Sequence, residues 1–193
     1  MLGKQITKRI YILNHILECY YNFLYHSLFL IGMEEGKRVN WDEYFVTLTK
    51  MIATRSTCPK RNVGAILVKD KRILATGHSG SVKGLEHCDK IGCLVKYIYD
   101  SEGNKHDKCV RTIHAELNAI IQCAMHGVSS KGATLYASFE PCDTCAKALI
   151  NAGIKRVVVA EIYEDKSRAE LSRKWFEEAG IPVEEIKPKT EQN

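Results

Sequence analysis

Two short segments of this 193-residue chain carry side chains that could bind a metal ion and move a proton. One covers residues 114–116 (His-Ala-Glu), and the other covers residues 141–145 (Pro-Cys-Asp-Thr-Cys). Together they offer one imidazole and two thiolates, a zinc ligand set that leaves the fourth coordination position open, as in catalytic sites. The spacing therefore predicts a catalytic zinc ion bound by His114, Cys142 and Cys145.

A carboxylate follows the first of these ligands at a distance that suits proton transfer. Glu116 stands two residues after His114 and can reach a water molecule on the metal without binding the metal itself. Zinc lowers the pKa of such a water towards neutrality. We expect Glu116 to take the water proton, pass it to a ring nitrogen of the substrate and then protonate a departing amine. The pattern H-x-E followed by P-C-x-x-C is the signature of zinc nucleobase deaminases.

Composition limits the class of protein. With 45% hydrophobic and 26% charged residues, the chain resembles one soluble domain with a core of its own. Its formal charge of +5 is spread along the sequence, without a block of like charges that would mark a nucleic-acid arm. Eight cysteines could form disulfides, but several lie close to histidines, which favours metal binding in a reducing compartment.

The first 32 residues differ from the rest, and we separate them as an N-terminal extension from a deaminase domain over residues 33–193. A basic start precedes an apolar, aromatic run over residues 10–31 that resembles a signal or anchor. No small-x-small cleavage site follows, and polar residues interrupt the run at helical spacing, so we expect an amphipathic helix and no membrane attachment. Alternatively, Met33 is the true start. The stripe consists of Asn14, Glu18, Asn22 and His26.

From residue 33 onward, helical and strand patterns alternate, which predicts a sheet with helices on both faces. Asn40 and Glu43 predict the N-terminus of a helix, and Asp70–Lys71 a hairpin turn. Residues 79–110 show little periodicity and are predicted as a long loop that something must order. The remaining predicted elements are strands at 63–69, 72–76, 133–138, 156–160 and near 183, and helices at 41–55, 114–125, 142–152 and 167–179.

The stretch Arg111–Ile120 and the segments Arg55–Cys58 and Val63–Ile66 resemble the deoxycytidylate (dCMP) deaminases of the cytidine and deoxycytidylate deaminase superfamily, and the resemblance covers residues 40–187. It implies an α/β, three-layer fold with a five-stranded mixed sheet between helices. It also implies zinc-dependent hydrolysis of dCMP to dUMP and ammonia, a homo-oligomer (often a hexamer among relatives) and a cytoplasmic location. Neither a nucleic acid nor a membrane is expected as a partner.

The resemblance also implies substrate contacts. Family members usually carry Gly-Tyr-Asn-Gly after the second strand, and its Asn contacts the sugar. Here residues 77–80 read Gly-His-Ser-Gly, so the shorter Ser79 puts the sugar contact and the nucleotide preference in doubt. Basic residues at 55, 61, 83 and 166 are available for a phosphate. The residues expected to contact the substrate are Arg55, Ser79, Ala115, Ser138 and Tyr163.

The Cys-rich insertion resembles a second, structural zinc site that many dCMP deaminases have. Six residues are candidate ligands, more than the four that a closed tetrahedral site needs. The favoured set is Cys58, His87, Cys93 and Cys109, with Cys88 as the first substitute. Ordinary loop thiols remain the alternative. The candidates are Cys58, His87, Cys88, Cys93, His106 and Cys109.

Two other functions stay open at this point. One is a different deaminase of the same superfamily, acting on tRNA adenosine, guanine, cytidine or a riboflavin precursor; a tRNA editor would need a more strongly basic face. The other is a non-catalytic zinc scaffold, for which a general base such as Glu116 would have no use. Regulation by dCTP and dTTP is unsupported, because Gln122 and Met125 stand where regulated phage enzymes carry an aromatic residue and an arginine.

Overall fold

Five strands pair into one mixed sheet at the centre of the fold, in the order β2 (Arg72–His78), β1 (Gly64–Lys69), β7 (Thr134–Ala137), β8 (Arg156–Val159) and β9 (Val183–Glu185). β1 runs antiparallel to β2 and β7, whereas β7, β8 and β9 are parallel. The computed structural model describes residues 38–99, 103–163 and 169–187. In chain order the elements are α1 (Trp41–Ala53), β1 (Gly64–Lys69), β2 (Arg72–His78), β3 (Gly80–Ser81), α2 (Cys88–Ile91), β4 (Val95–Tyr99), β5 (Lys105–Cys109), β6 (Thr112–Ile113), α3 (Ala115–Met125), β7 (Thr134–Ala137), α4 (Asp143–Asn151), β8 (Arg156–Val159), α5 (Glu170–Glu178) and β9 (Val183–Glu185).

One helix covers one face of this sheet. The N-terminus of α1 is capped as predicted, since the Asn40 side chain accepts a hydrogen bond of 2.8 Å from the backbone N–H of Glu43. The apolar side of α1 then packs on alternate strand residues that point to the same face. This smaller core contains Phe45, Val46, Ile66, Val68, Tyr136, Val158 and Ala160.

Three helices cover the opposite face, so the expected three-layer α/β fold is confirmed. α3 packs on β1, β2 and β7, and α4 lies between α3 and α5. α3 approaches β2 closely because residue 77 is glycine: a Cβ atom there would lie 2.1 Å from the carbonyl oxygen of Ala115. The main core contains Ala65, Leu67, Ala115, Ala119, Cys123, Leu135, Ala137, Leu149, Val157, Val159 and Phe176.

The insertion between β2 and α3 is not the long loop that the sequence predicted. It contains the short helix α2 and an antiparallel hairpin in which Val95 pairs with Cys109 and Tyr99 with Lys105. All five residues of β4 are exposed, and β5 has no fully buried residue. Because neither strand has a buried face, the hydrophobic alternation that identifies strands in a sequence is missing.

The other predicted elements are confirmed with small shifts at their ends. The turn at Asp70 and Lys71 has positive φ angles of 51° and 61°, as a tight hairpin turn requires. The predicted helix over residues 1–32 lies outside the described residues, so that boundary stays a prediction. None of the helices in the described ranges is long and apolar enough to cross a membrane.

Candidate active site

The predicted metal ligands stand at the N-termini of two neighbouring helices. His114 is the N-cap residue of α3, and Cys142 is the N-cap residue of α4. Neither side chain makes a capping hydrogen bond, so both are available for other partners. Cys145 lies in the first turn of α4 and is fully buried. The strand–turn–helix connections thus direct all three side chains to one point.

The distances among the three side chains fit a zinc ion. Nδ1 of His114 lies 3.4 Å from Sγ of Cys142 and 3.3 Å from Sγ of Cys145. Tetrahedral zinc, with Zn–N and Zn–S bonds of about 2.05 and 2.3 Å, would place a nitrogen and a sulfur ligand about 3.6 Å apart. The three ligand atoms all lie within 4.8 Å of one another. Both the donor chemistry and the spacing therefore suit Zn²⁺.

The ionisation of the two thiols also favours a cation between them. A hydrogen bond from Cys145 and another from His114 lower the pKa of Cys142 to about 4. The hydrogen bond to Cys142 and burial raise the pKa of Cys145 well above its usual range. Two thiols this close cannot both ionise without a neighbouring positive charge, which a metal ion bound between them would supply.

Glu116 lies beside these ligands and is only 3% exposed. Burial raises the pKa of its carboxyl group to about 7, against the opposing influence of the His114 charge. A carboxyl group with a pKa near neutrality can both accept and donate a proton at physiological pH. The position and ionisation of Glu116 therefore match the proton-carrier role expected from the sequence.

These groups line a cavity of about 450 Å³, large enough for a nucleotide. Its wall includes the ring of Phe139 in edge contact with the ring of Tyr163, with 4.7 Å between centroids. The Arg61 guanidinium lies 4.0 Å from the Phe139 ring centroid. Lys108, on β5, lines the cavity from the insertion. Within the described ranges, neither Arg61 nor Lys108 has an acidic partner.

Three of the five residues expected to contact the substrate line this cavity, namely Ser79, Ala115 and Tyr163. Arg55 and Ser138 are not part of its lining in the described chain. Arg55 is exposed, and Ser138 uses its hydroxyl to accept from the backbone N–H of Gly64 over 3.1 Å. Their substrate contacts therefore stay predictions that the cavity does not support.

Ser79 lines the cavity, and its hydroxyl makes hydrogen bonds within the fold. It donates to the carbonyl oxygen of Arg61 at 3.0 Å and accepts from the N–H of Val63 at 3.1 Å. The hydroxyl of Ser56 lies 2.7 Å away. The Ser56 hydroxyl also donates to the carbonyl oxygen of Ser79 over 2.8 Å, and the sugar contact of Ser79 stays a prediction. The place of Ser79 in the structure is to hold the loop that carries Arg61.

Three thiols of the insertion form a second cluster. Its members differ from the ligand set that was favoured from the sequence. The sulfurs of Cys88, Cys93 and Cys109 lie within 4.8 Å of one another. Cys88 takes the place expected for His87, because α2 begins at Cys88 and leaves His87 outside as an exposed N-cap, while the Cys88 side chain is buried. Cys58 is outside this group, although its charge is near enough to help raise the pKa of Cys93.

The cluster also has zinc-like geometry. Sγ of Cys88 and Sγ of Cys109 are 3.8 Å apart, and two sulfur ligands of tetrahedral zinc would be separated by about 3.8 Å. Although burial opposes ionisation, hydrogen bonds from the Thr112 hydroxyl and from the backbone N–H of Arg111 lower the pKa of Cys109 to about 6. A stabilised thiolate is the form that binds a metal.

Sequence reasoning missed several residues around the site. Phe139 and Lys108 line the cavity, and Glu140 forms a buried ion pair with Arg173 of α5. Phe139 and Glu140 directly precede the Pro-Cys ligand segment, and this proximity was a usable signal. Lys108 offered none, because its strand was not recognised, and Arg173 reaches the site only through the tertiary packing of α5.

Comparison with known proteins identifies relatives. Residues 39–161 match the sequence model of the cytidine and deoxycytidylate deaminase zinc-binding region. The chain is 43% identical over 150 residues to ComE operon protein 2 of Bacillus subtilis (strain 168), covering 78% of this chain and 73% of that protein. It is 32% identical over 153 residues to the deoxycytidylate deaminase of Homo sapiens, covering 78% of this chain and 82% of that protein.

Coverage of a third relative is smaller. The deoxycytidylate deaminase of Schizosaccharomyces pombe is 35% identical over 152 residues, which are 78% of this chain and 45% of that protein. The chain thus spans about half the length of the yeast enzyme. Among solved structures, dCMP deaminase from the cyanophage S-TIM5 in complex with dCMP and dUMP aligns with a TM-score of 0.60 and 25% identity, over 78% of this chain and 99% of that one.

Proposed function

Because the chain belongs to the cytidine and deoxycytidylate deaminase family, we propose that it hydrolyses dCMP to dUMP and ammonia. The observation that carries the proposal is the convergence of His114, Cys142 and Cys145 on one point beside a buried Glu116. Relatives named deoxycytidylate deaminase, together with the nucleotide complex of the cyanophage enzyme, support dCMP as the substrate.

The residues divide the chemistry among them. His114, Cys142 and Cys145 would hold Zn²⁺, which supplies a Lewis acid that makes water a nucleophile near neutral pH. Glu116 accepts the proton of the attacking water and transfers it to N3 of the cytosine ring. It then takes the proton of the new C4 hydroxyl and gives it to the amino group as the C4–N bond breaks, which releases ammonia and leaves a carbonyl at C4.

The walls of the cavity offer contacts for the base, sugar and phosphate of the substrate. Phe139 and Tyr163 offer aromatic surface for the base or sugar. Arg61 and Lys108 stand at the same cavity without acidic partners in the described chain, and they are the cations that would bind a 5′-phosphate. We therefore propose Arg61, and not Arg55, as the arginine that contacts the phosphate.

Release of ammonia tests the proposal. Zinc-loaded protein is given dCMP, dCTP, CMP, deoxycytidine, guanine and a tRNA anticodon stem-loop, with Glu116→Gln in parallel. We expect dCMP to be preferred and the variant to lose at least about 100-fold in kcat while it keeps its zinc. Glu177→Gln, an exposed change on α5, is the matched control. Turnover of another substrate alone would move the function to another deaminase, and no turnover would favour the zinc scaffold.

We also propose that the second thiol cluster holds a structural zinc ion. Cys88, Cys93 and Cys109 would supply three ligands, and the nearby buried Cys58 the fourth. Such a closed site would order the hairpin of β4 and β5, which has no buried face to stabilise it. It would have no role in the chemistry.

Metal analysis separates this ligand set from the one expected from the sequence. We expect two zinc ions per chain in the wild type and one in Cys88→Ala, while His87→Ala keeps both. Loss of one zinc ion in His87→Ala and of none in Cys88→Ala would instead support the ligand set expected from the sequence, which contains His87. The homo-oligomer and the cytoplasmic location expected from the family resemblance stay predictions.

A further inference from the structure

A buried carboxylate that the proposed reaction does not use stands directly before the ligand segment. The Glu140 side chain is 2% exposed, and it accepts hydrogen bonds of 2.7 Å from both Nε and Nη2 of Arg173. The backbone N–H of Tyr163 donates to its Oε2 over 3.1 Å. We infer that Glu140 and Arg173 are positioning residues, which hold Tyr163 in the wall of the substrate cavity.

Glu140 makes two hydrogen bonds to the loop that carries Tyr163. Besides the side-chain contact, the backbone N–H of Glu140 donates to the carbonyl oxygen of Glu161 over 2.9 Å. The Tyr163 ring then meets Phe139, the residue before Glu140, and the Arg61 guanidinium lies 5.2 Å from the ring centroid. A shift of this loop would therefore displace Tyr163 and disturb both of its neighbours.

The charge of the pair is needed to satisfy the hydrogen bonds. A carboxylate only accepts, and here both oxygens face N–H donors. Arg173 matches the two oxygens with a fixed fork of donors, a geometry that fixes orientation as well as distance. An apolar residue of similar size at position 140 would fill the space but leave the N–H of Tyr163 without its acceptor.

A neighbouring residue on the same helix makes a separate contact to the metal side of the site. The Ser172 hydroxyl donates over 2.8 Å to the carbonyl oxygen of Pro141, which precedes the ligand Cys142. α5 thus holds the ligand segment through Ser172 and the Tyr163 loop through Arg173 and Glu140. These two contacts can be removed one at a time.

This inference rests on the proposed binding of dCMP, and it predicts an effect on substrate affinity and not on the chemical step. In Glu140→Gln, an amide N–H₂ group replaces one acceptor and must face a donor. We expect the KM for dCMP to rise about tenfold, which is the size of effect that the loss of one hydrogen bond produces. We expect kcat to stay within about twofold of the wild-type value. Zinc content per chain should stay at the wild-type value.

The binding measurement does not depend on turnover. Calorimetric titration of dCMP into zinc-loaded Glu116→Gln protein gives a dissociation constant, and adding Glu140→Gln to that background should raise it about tenfold. Ser172→Ala should leave dCMP affinity unchanged and speed the loss of zinc to a chelator. Lys174→Ala, an exposed change on the same helix, should alter neither quantity.

A second variant keeps the inference testable if the unpaired Arg173 charge unfolds Glu140→Gln. Combining Glu140→Gln with Arg173→Met removes that charge, so the melting temperature should recover while the affinity for dCMP stays low. Recovery of both, or a wild-type dissociation constant in the single variant, would show a purely structural pair and overturn the inference. Absence of dCMP binding in protein with wild-type Glu140 would instead overturn the proposed function, and this inference with it.

Discussion

Two buried carboxylates line the same cavity, and their hydrogen-bond partners give them opposite roles. Both carboxylate oxygens of Glu140 accept hydrogen bonds from N–H donors, which fix the orientation of the side chain. Among the described residues no basic side chain is hydrogen-bonded to Glu116, and burial raises its pKa to about 7. A carboxyl group with such a pKa can accept and release a proton near neutral pH, as a proton carrier must.

Arg61 should decide whether the enzyme requires a phosphate on its substrate. Arg61→Ala removes a cation that lines the cavity and has no acidic partner in the described chain. We expect the KM for dCMP to rise about tenfold or more, since charged hydrogen bonds contribute about 1.5–3 kcal/mol, while any activity on deoxycytidine stays unchanged. Steady-state kinetics on both substrates measure the difference. Lys155→Ala is the control, and equal losses on both substrates would contradict a phosphate contact.

Ser79 should matter for stability and not through direct contact with the substrate. Ser79→Ala leaves the partly buried N–H of Val63 without its hydroxyl acceptor, which we expect to cost about 1–3 kcal/mol in the free energy of unfolding. Urea denaturation measures it. Ser129→Ala removes an exposed hydroxyl that also accepts from a backbone N–H, and should change stability by less than about 0.5 kcal/mol. A stable Ser79→Ala variant with a large loss of dCMP affinity would support the sugar contact instead.

Sequence reasoning was most successful where ligand chemistry dictates spacing. His114, Cys142 and Cys145 were identified because a metal site needs these residue types near each other, and local helix geometry brings them together. The choice between His87 and Cys88 could not be made that way. Adjacent residues differ only in which one turns inward, and that depends on where α2 begins and on the hydrogen bond between Ser81 and Cys88.

At the scale of elements, the site depends on how closely α3 can approach β2. Gly77→Ala would place a Cβ atom 2.1 Å from the backbone oxygen of Ala115 and 2.6 Å from the backbone nitrogen of Ala119. Because backbone atoms cannot rotate away, the helix must shift and carry His114 and Glu116 with it. We expect a loss of at least about 2 kcal/mol in unfolding free energy, comparable with overpacking elsewhere, together with weaker zinc binding.

Thermal unfolding and metal analysis check this prediction. Thr76→Ala is the matched control, because it makes a small change at an exposed position of the same strand. A Gly77→Ala variant with wild-type stability and full zinc content would mean that α3 can move without affecting the site.

The elements that the sequence predicted differ from the hairpin that it missed in how they are stabilised. β1 and β7 are buried strands, and α1 has a capped N-terminus and one apolar side, so local patterns were enough. The hairpin of β4 and β5 has no fully buried residue, and the thiol of Cys109 meets that of Cys88, 21 residues earlier in the sequence. Long-range contacts of this kind leave no periodic signal.

At the scale of the whole molecule, one arginine links the outer helix layer to the far edge of the sheet. Arg156 on β8 makes hydrogen bonds of 2.8 and 3.0 Å to the carboxylate of Asp42 on α1. It also bonds to Glu184 on β9, at 2.8 and 2.7 Å. The Tyr136 hydroxyl of β7 donates to Asp42 over 2.6 Å. Four elements are therefore joined through a single charged network.

This network should make the stability of the domain depend on pH in the acid range. The hydrogen bonds from Arg156 lower the pKa of both Asp42 and Glu184 from their usual values of 3.8 and 4.5. Acids with a lowered folded-state pKa stabilise the protein above their unfolded-state pKa, and that contribution is lost as the pH falls through the folded-state pKa. We therefore expect a constant contribution from pH 7 down to about pH 5 and a decline below about pH 4.5.

Arg156→Met tests the network against the wild type by urea denaturation at a series of pH values. Asp42 and Arg156 are about one-quarter exposed and Glu184 is nearly half exposed, so solvent screening limits the expected difference at pH 7 to about 1 kcal/mol. That difference should shrink as the pH falls towards 3. Protonation of Asp42 and Glu184 weakens their ion pairs with Arg156 in the wild type, and the variant has no such ion pairs to lose. Lys174→Met, which removes a weak exposed pair, should show no such convergence. If the wild-type and Arg156→Met curves instead stayed parallel in acid, the layers would be held together by apolar packing alone.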